Sequence, residues 1–180
     1  MKKYQIVLAD PPWCYKDKSK SHGGGAESHY SCMSIQDICN LPIKDIADEN
    51  CILFIWVTMP MLEEVFNVIK AWGFIYKTCG FTWVKRNNNT PGFFMGMGRW
   101  TRQNAELCLI ATKGKPKRMN AGIRSVIDVV RGKHSQKPDI VKQRIVELMG
   151  QLPRIELFAR KKENDGWDYF GNEVSSDITL

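Results

Sequence analysis

Apolar residues along the chain fall into continuous runs of strand length that are separated by polar segments. The clearest run is residues 51–58 (Cys-Ile-Leu-Phe-Ile-Trp-Val-Thr), where apolar side chains follow one another without polar alternation. A run of this kind predicts a central parallel strand that is covered on both faces, because a half-exposed strand would alternate. Comparable runs predict further strands at residues 4–9, 74–84, 106–112 and 154–160.

Between these strands, apolar residues recur at the three- and four-residue spacing of helices. Pro138 suits the first residue of one helix, and Gly150 ends it. Gly73 ends another helix in the same way. The apolar positions are Leu62, Val65, Phe66, Ile69 and Trp72 in the first helix, and Ile140, Val141, Ile145, Leu148 and Met149 in the second.

Ser34 and Asp37 resemble a capping box and predict a short helix that ends before Pro42. Strands therefore alternate with helices, which is typical of an α/β fold with a mostly parallel sheet. Three long polar loops, at residues 14–30, 85–104 and 131–137, follow strands or lead into helices. We expect them to converge on one edge of the sheet, where open α/β sheets bind ligands.

Composition and charge narrow the class of protein. The chain has 180 residues, of which 43% are hydrophobic and 25% charged, and this predicts a single domain over residues 1–180. It shows neither an apolar stretch that could span a membrane nor a signal peptide, so a cytoplasmic location is expected. The formal charge of +7 favours a polyanionic partner such as nucleic acid, although a merely basic protein remains an alternative.

The six cysteines form no Cys-x-x-Cys pair, and several lie in apolar runs. We therefore expect them to be reduced and mostly structural. The three histidines show no ligand spacing with them, which argues against a zinc site.

Candidate chemistry begins where the first predicted strand ends, at Asp10-Pro11-Pro12-Trp13. The two prolines make this turn rigid and leave its carbonyls free to accept hydrogen bonds. A carboxylate, a fixed carbonyl and an aromatic plane together suit a flat ligand with an exocyclic amine. An acidic turn with a core tryptophan is the alternative, and the four residues alone leave both open.

The turn belongs to an ordered set. His134-Ser-Gln-Lys137-Pro138 precedes a helix, Ile155-Glu-Leu-Phe-Ala-Arg160 follows it, and Gly171-Asn172-Glu173 lies near the C-terminus. In this order the set resembles the adenine-N6 methyltransferase family that includes the catalytic subunit of the eukaryotic mRNA adenine methyltransferase and bacterial and phage relatives. The resemblance covers residues 4–174. It implies a Rossmann-like methyltransferase fold in permuted order, with the catalytic motif before the cofactor motif, and S-adenosylmethionine as methyl donor.

The resemblance also implies roles for the turn. Asp10 and the Pro11 carbonyl would accept the two N6–H bonds of adenine, which orients the amine for attack. Trp13, with Pro12, would stack on the target base after it has left the duplex or come from a single strand.

For the donor, the resemblance implies that Lys137 binds the carboxylate and that Asp10 meets the amino group. Arg160, Asn172 and Glu173 match residues around the ribose, although the family often has glutamine where Glu173 stands. Taken singly, each residue has a simpler interpretation. Lys137 would be an ordinary lysine before a helix, and Arg160 a solvated charge at the end of a strand. Candidates for substrate contact lie in the loops: Tyr15, Lys16, Arg99, Trp100, Lys115, Lys117, Arg118 and His134.

Two departures from the family pattern limit the transfer of roles. Residues 161–163 (Lys-Lys-Glu) replace histidine and asparagine near the donor, and the sequence begins nine residues before Asp10. The size and the resemblance favour DNA as the substrate, and a bacterial or phage-infected cell as the location. RNA is the first alternative, and an inactive nucleic-acid-binding subunit, or methylation of a small molecule or protein, are others. Because family members often act as dimers, a homodimer or heterodimer is expected.

Overall fold

The computed structural model describes residues 2–14, 32–98, 100–132 and 136–180. Within them, seven strands form one sheet in the order β5-β3-β4-β2-β1-β6-β7. The strands are β1 (Tyr4–Ala9), β2 (Ala47–Val57), β3 (Ile75–Arg86), β4 (Ala105–Lys113), β5 (Val126–Val130), β6 (Arg154–Leu157) and β7 (Asp168–Phe170). The helices are α1 (Ile35–Asn40), α2 (Ile43–Ile46), α3 (Val65–Ala71) and α4 (Ile140–Met149), with a 3-10 turn at Met59–Met61.

The sheet is mostly parallel, which confirms the predicted α/β class. β1 pairs in parallel with β2 and β6, and the pairs β6–β7 and β3–β5 are also parallel. β4 is the exception, because it runs antiparallel to both of its neighbours, β2 and β3. Consequently β4 begins at the edge where β1, β2, β3 and β6 end. We call this edge the carboxyl edge.

β2 is central and is covered on both faces, as its continuous apolar run predicted. Leu53 and Ile55 pack into the core between the sheet and helices α1 to α3. Phe54 and Trp56 point the other way and pack in the core that includes α4. The prediction of a parallel strand holds for its pairing with β1 but not for its pairing with β4.

The helices follow their sequence signals with small shifts. The Ser34 side chain accepts a hydrogen bond from the Asp37 N–H at 3.1 Å and caps α1. α3 begins at Val65 rather than Leu62, because Pro60 lies in the 3-10 turn that precedes it. α4 begins at Ile140, two residues after Pro138, whose carbonyl accepts from Val141 at 3.0 Å.

Two short edge strands, β5 and β7, escaped prediction, since neither has a sustained apolar run. β6 is shorter than predicted: it ends at Leu157, because the next residue, Phe158, has a positive φ of 62°. No helix in the described ranges is long and apolar enough to cross a membrane.

The expectation that all six cysteines are reduced is wrong for two of them. Cys14 and Cys32 form a disulfide with a Cα–Cα distance of 5.1 Å. The Met33 N–H donates to the Pro12 carbonyl at 2.9 Å, and Trp13 and Met33 form a parallel bridge, which brings the two cysteines together. This long-range pairing is invisible in the cysteine spacing. Cys39, Cys51, Cys79 and Cys108 are free.

Candidate active site

A cavity of about 610 Å³ opens at the carboxyl edge, on the face of the sheet that α4 covers. Asp10 reaches it because it directly follows β1, and Lys137 reaches it from the segment that leads into α4. Arg160 reaches it from the segment after β6. The structure therefore brings together three of the residues that sequence reasoning assigned to the site. The lining comprises Leu8, Asp10, Trp56, Gln136, Lys137, Pro138, Asp139, Val141, Lys142, Glu156, Phe158, Arg160, Lys161 and Glu163.

Asp10 belongs to a chain of alternating charges. Lys137 Nζ lies 2.8 Å from Asp10 Oδ2 and 3.2 Å from Glu106 Oε2. Glu106 also pairs with Lys85, which ends the chain. Lys137 lies over the Trp56 ring as well, with Nζ 5.6 Å from the ring centroid. The charges of the two carboxylates and the two ammonium groups therefore balance, and the four side chains are mostly shielded from solvent.

Burial and these neighbours set the protonation of the site. Burial raises the pKa of the Asp10 carboxyl, and Lys137 offsets this only in part. Burial would lower the pKa of Lys137, but the carboxylates of Asp10 and Glu106 outweigh it and the pKa is raised. Burial would raise the pKa of Glu106, but Lys137 and Lys85 outweigh it and the pKa is lowered. Lys137 therefore stays charged at neutral pH.

The carbonyls of the turn are not free, contrary to expectation. The Pro11 carbonyl accepts a hydrogen bond from the Trp13 N–H at 2.9 Å. The Pro12 carbonyl accepts from the Met33 N–H, also at 2.9 Å. Each carbonyl oxygen keeps one further lone pair, so Pro11 can still accept a bond from a ligand.

Trp13 occupies the core rather than an open face. Its side chain is 5% exposed, and its indole N–H donates to the Trp56 carbonyl at 3.0 Å. A base could not stack on a ring that is buried in this way, so the predicted stacking role does not fit this position. The alternative reading, an acidic turn with a core tryptophan, describes Trp13, while Asp10 and Lys137 still form a site beside it.

The C-terminal motif meets the site through Arg160. Glu173 Oε1 lies 3.6 Å from Arg160 Nε. A Cβ on Gly171 would lie 2.2 Å from the Ala159 carbonyl, so glycine permits this close approach. Asn172 is exposed, and among the described residues neither it nor Glu173 lines the cavity.

A second charged cluster lines the cavity, and sequence reasoning missed it. Lys142 Nζ lies 2.8 Å from Glu163, 2.9 Å from Asp165 and 3.4 Å from Glu156. Lys161 pairs with Glu163 as well. The stretch at residues 161–163 that departs from the family pattern therefore supplies cavity charges of its own. The available signal was the position of Lys142 on α4, in the first turns after Lys137.

The loop residues predicted to contact the substrate lie at two different edges of the sheet. Trp100 lies in the segment between β3 and β4, at the carboxyl edge, and is 94% exposed. The basic turn with Lys115, Lys117 and Arg118 follows the end of β4 and so lies at the opposite edge, where the Lys115 N–H donates to Asn50 Oδ1 at 2.8 Å. A role for that turn beside the cavity is therefore wrong, because β4 runs antiparallel. Tyr15, Lys16, Arg99 and His134 lie outside the described residues.

Matches to a family pattern and to named methyltransferases place this chain, whose sheet has a cavity and Asp-Pro-Pro-Trp at its carboxyl edge, in the class of adenine-N6 methyltransferases. The MT-A70 family pattern matches residues 4–173. The chain belongs to the MT-A70 family. The permuted order of its motifs stays a prediction.

Individual relatives differ in how much of their length is matched. The chain is 35% identical to the type II methyltransferase M.MunI of Mycoplasma sp., over 96% of this chain and 78% of that protein. It is 29% identical to the human N(6)-adenosine-methyltransferase catalytic subunit METTL3, over 96% of this chain but 28% of that protein. The Arabidopsis thaliana non-catalytic subunit MTB is 32% identical over 67% of this chain and 15% of its own length.

Proposed function

We propose that the protein transfers the methyl group of S-adenosylmethionine to the N6 amine of adenine in DNA. The observation that carries this proposal is the Asp10–Lys137 pair, held at 2.8 Å in the wall of the cavity. A volume of about 610 Å³ lies within the usual range for sites that bind small molecules and cofactors.

The charged groups of the cavity fit the donor. Lys137 stays positively charged and would hold the carboxylate of the methionine moiety, while Asp10 would meet its amino group. Arg160 and Glu173 would lie toward the ribose, where a carboxylate can accept from hydroxyl groups. When bound, S-adenosylmethionine supplies an activated methyl group on a positively charged sulfur.

The chain's own groups would orient the acceptor. Asp10 and the second lone pair of the Pro11 carbonyl would each accept one N6–H bond, which directs the nitrogen toward the methyl group and supports its electron density. Holding the two reacting atoms in line replaces a bimolecular encounter by a prearranged one. Asp10 acts in this proposal as an orienting and electrostatic group.

The surface of the carboxyl edge fits nucleic acid. Residues 87–104, which we call the edge loop, expose Phe93, Met95, Met97 and Trp100. Arg86 and Arg131 flank this loop and contact Phe93 and Phe94, with the guanidinium carbons 4.2 and 4.1 Å from the ring centroids. Exposed aromatic and basic groups together are typical of surfaces that bind unpaired bases.

DNA is favoured over RNA by the similarity to M.MunI, which is higher and covers more of that protein than the similarity to METTL3. The intact Asp10-Pro11-Pro12-Trp13 turn argues against an inactive subunit, although the similarity to MTB keeps a partner subunit within the proposal. A second copy of the chain or a different subunit would enlarge the surface that grips the substrate.

The test is transfer of labelled methyl from S-adenosylmethionine into DNA and RNA oligonucleotides of matched sequence, with nucleosides identified by mass spectrometry. We expect N6-methyladenine in DNA, and its loss in Asp10→Asn. Asp45→Asn, at an exposed position of α2 before β2 and so at the opposite edge, is the matched control and should keep activity. A strict preference for RNA would show that RNA, not DNA, is the substrate. Donor binding without any transfer would support the alternative that the protein is an inactive subunit.

A further inference from the structure

Glu106 is a buried carboxylate at the carboxyl edge to which neither the family motifs nor the proposed function assigns a role. Its side chain is 14% exposed, and Oε2 lies 3.2 Å from Lys137 Nζ. Its other oxygen, Oε1, pairs with Lys85. Lys137 therefore lies within salt-bridge distance of both Glu106 and Asp10.

The antiparallel direction of β4 explains how this acid reaches the site. Glu106 is the second residue of β4, and β4 starts at the edge where β1 ends in Asp10. Trp83 of β3 is its register partner, and the Lys85 ammonium lies 4.9 Å from the Trp83 ring centroid. The position of Glu106 is therefore set by the sheet rather than by a loop.

Lys85 also fastens both arms of the edge loop. Its N–H donates to the Asn104 carbonyl at 2.8 Å, and its carbonyl accepts from the Phe94 N–H at 2.8 Å. The contacts run without a gap from the edge loop through Lys85, Glu106 and Lys137 to Asp10.

We propose that Glu106 is a positioning residue of the methyl-transfer site, which holds the Lys137 ammonium between two carboxylates. With Glu106 in place, Lys137 is shared and can turn toward the donor's carboxylate, which leaves Asp10 able to accept from N6. Without Glu106, Lys137 would have Asp10 as its one carboxylate partner in this group and would stay on the acceptor that N6 needs. This inference rests on the proposed function.

The charge of Glu106 has a signature in the pH profile. Asp10 is a stronger acceptor for an N–H bond when it is ionised, and the negative charge of Glu106 contributes to its raised pKa. Removing that charge lowers the pKa of Asp10 directly, and it also leaves Lys137 to pair with Asp10 alone, which lowers it further. The other charged or titratable groups that face Asp10 and Lys137 stay in place: Lys85 of β3, Cys108 of β4, Glu156 of β6 and Arg160 beyond it.

The experiment compares Glu106→Gln, Glu106→Asp and the control Asp45→Asn, at an exposed position of α2, with the wild-type protein. Each is assayed for methyl transfer to DNA across pH, and for binding of S-adenosylhomocysteine by calorimetry. For Glu106→Gln we expect kcat to fall by about 10- to 100-fold, the scale of a misplaced catalytic group. We expect the acid limb of the profile to move to lower pH by on the order of one unit. Glu106→Asp should keep the limb near its wild-type position and restore part of kcat.

Each outcome either supports or overturns the positioning role of Glu106. A fall in kcat with an unmoved acid limb, or unchanged kcat in Glu106→Gln, would overturn the proposal. If Glu106→Gln does not fold, Glu106→Asp with wild-type kcat and wild-type analogue affinity would overturn it as well. If the wild-type protein transfers no methyl group, the proposed function fails. In that case the affinity for S-adenosylhomocysteine tests the role of Glu106 separately. About a tenfold loss of affinity in Glu106→Gln would still support the positioning of Lys137 by Glu106, and unchanged affinity would refute it.

Discussion

Replacing Trp13 by phenylalanine tests whether this side chain holds the turn or stacks on the base. The change keeps an aromatic ring but removes the indole N–H that donates to the Trp56 carbonyl at 3.0 Å. Leaving a buried acceptor without its donor costs about 1–3 kcal/mol, and the smaller ring adds a packing loss, for a total of about 2–4 kcal/mol. At this chain length that corresponds to a fall in Tm of roughly 5–15 °C.

The assay is thermal unfolding, followed by methyl transfer at a temperature where the variant stays folded. We expect lower stability with transfer reduced by less than tenfold, because Asp10 and Lys137 keep their contact. Trp100→Ala is the matched control at an exposed tryptophan. It should change stability by less than about 0.5 kcal/mol and weaken nucleic-acid binding by about 1–3 kcal/mol. Unchanged Tm in Trp13→Phe would refute the core role, and lost transfer at unchanged Tm would show that the indole itself acts on the substrate.

Three further predictions concern features outside this turn. Lys142→Met should destabilise the protein by about 1–3 kcal/mol in chemical unfolding, because Glu156 and Asp165 lose the Lys142 ammonium while Glu163 keeps Lys161; unchanged stability would contradict the cluster's role. Breaking the disulfide by Cys14→Ser with Cys32→Ser should cost about 3 kcal/mol, measured against the oxidised protein; equal stability would show that the bond contributes nothing. Lys115→Ser with Lys117→Ser should leave the salt dependence of DNA binding unchanged, whereas a slope reduced by about 0.9 per lysine would place that turn on the phosphates.

The sequence identified the central elements because their signals are local. The continuous run in β2 indicated a strand covered on both faces, and Ser34 marked the start of α1 through a side-chain cap. Edge strands lack such signals, since an edge strand pairs on one side and keeps exposed residues, as β5 does at Val126 and Val130. The end of β6 was misplaced because the left-handed backbone at Phe158 leaves no mark in an apolar run.

The sequence predicts some residues of the candidate site and misses others. Lys137 and Asp10 are 127 positions apart, yet the ordered motifs indicated both, and the structure places them in contact. The stacking role of Trp13 requires an exposed ring. The ring is buried in the folded protein, and burial cannot be read from the four residues of the turn. The disulfide and the Lys142 cluster depend on chain segments that meet only in the folded protein, so spacing along the chain could not reveal them.

The direction of β4 decides which polar segment completes the site. A strand buried on both faces has the same continuous apolar pattern whichever way it runs, and residues 87–104 are long enough for a crossover or for a return. Had β4 run parallel to β2, its last residues and the basic turn after Lys113 would lie beside Asp10, and Glu106 would lie at the far edge. Because β4 runs antiparallel, the edge receives the mostly buried acid Glu106 in place of the exposed Lys115 and Lys117. That acid balances Lys137, which a cluster of further cations would instead repel.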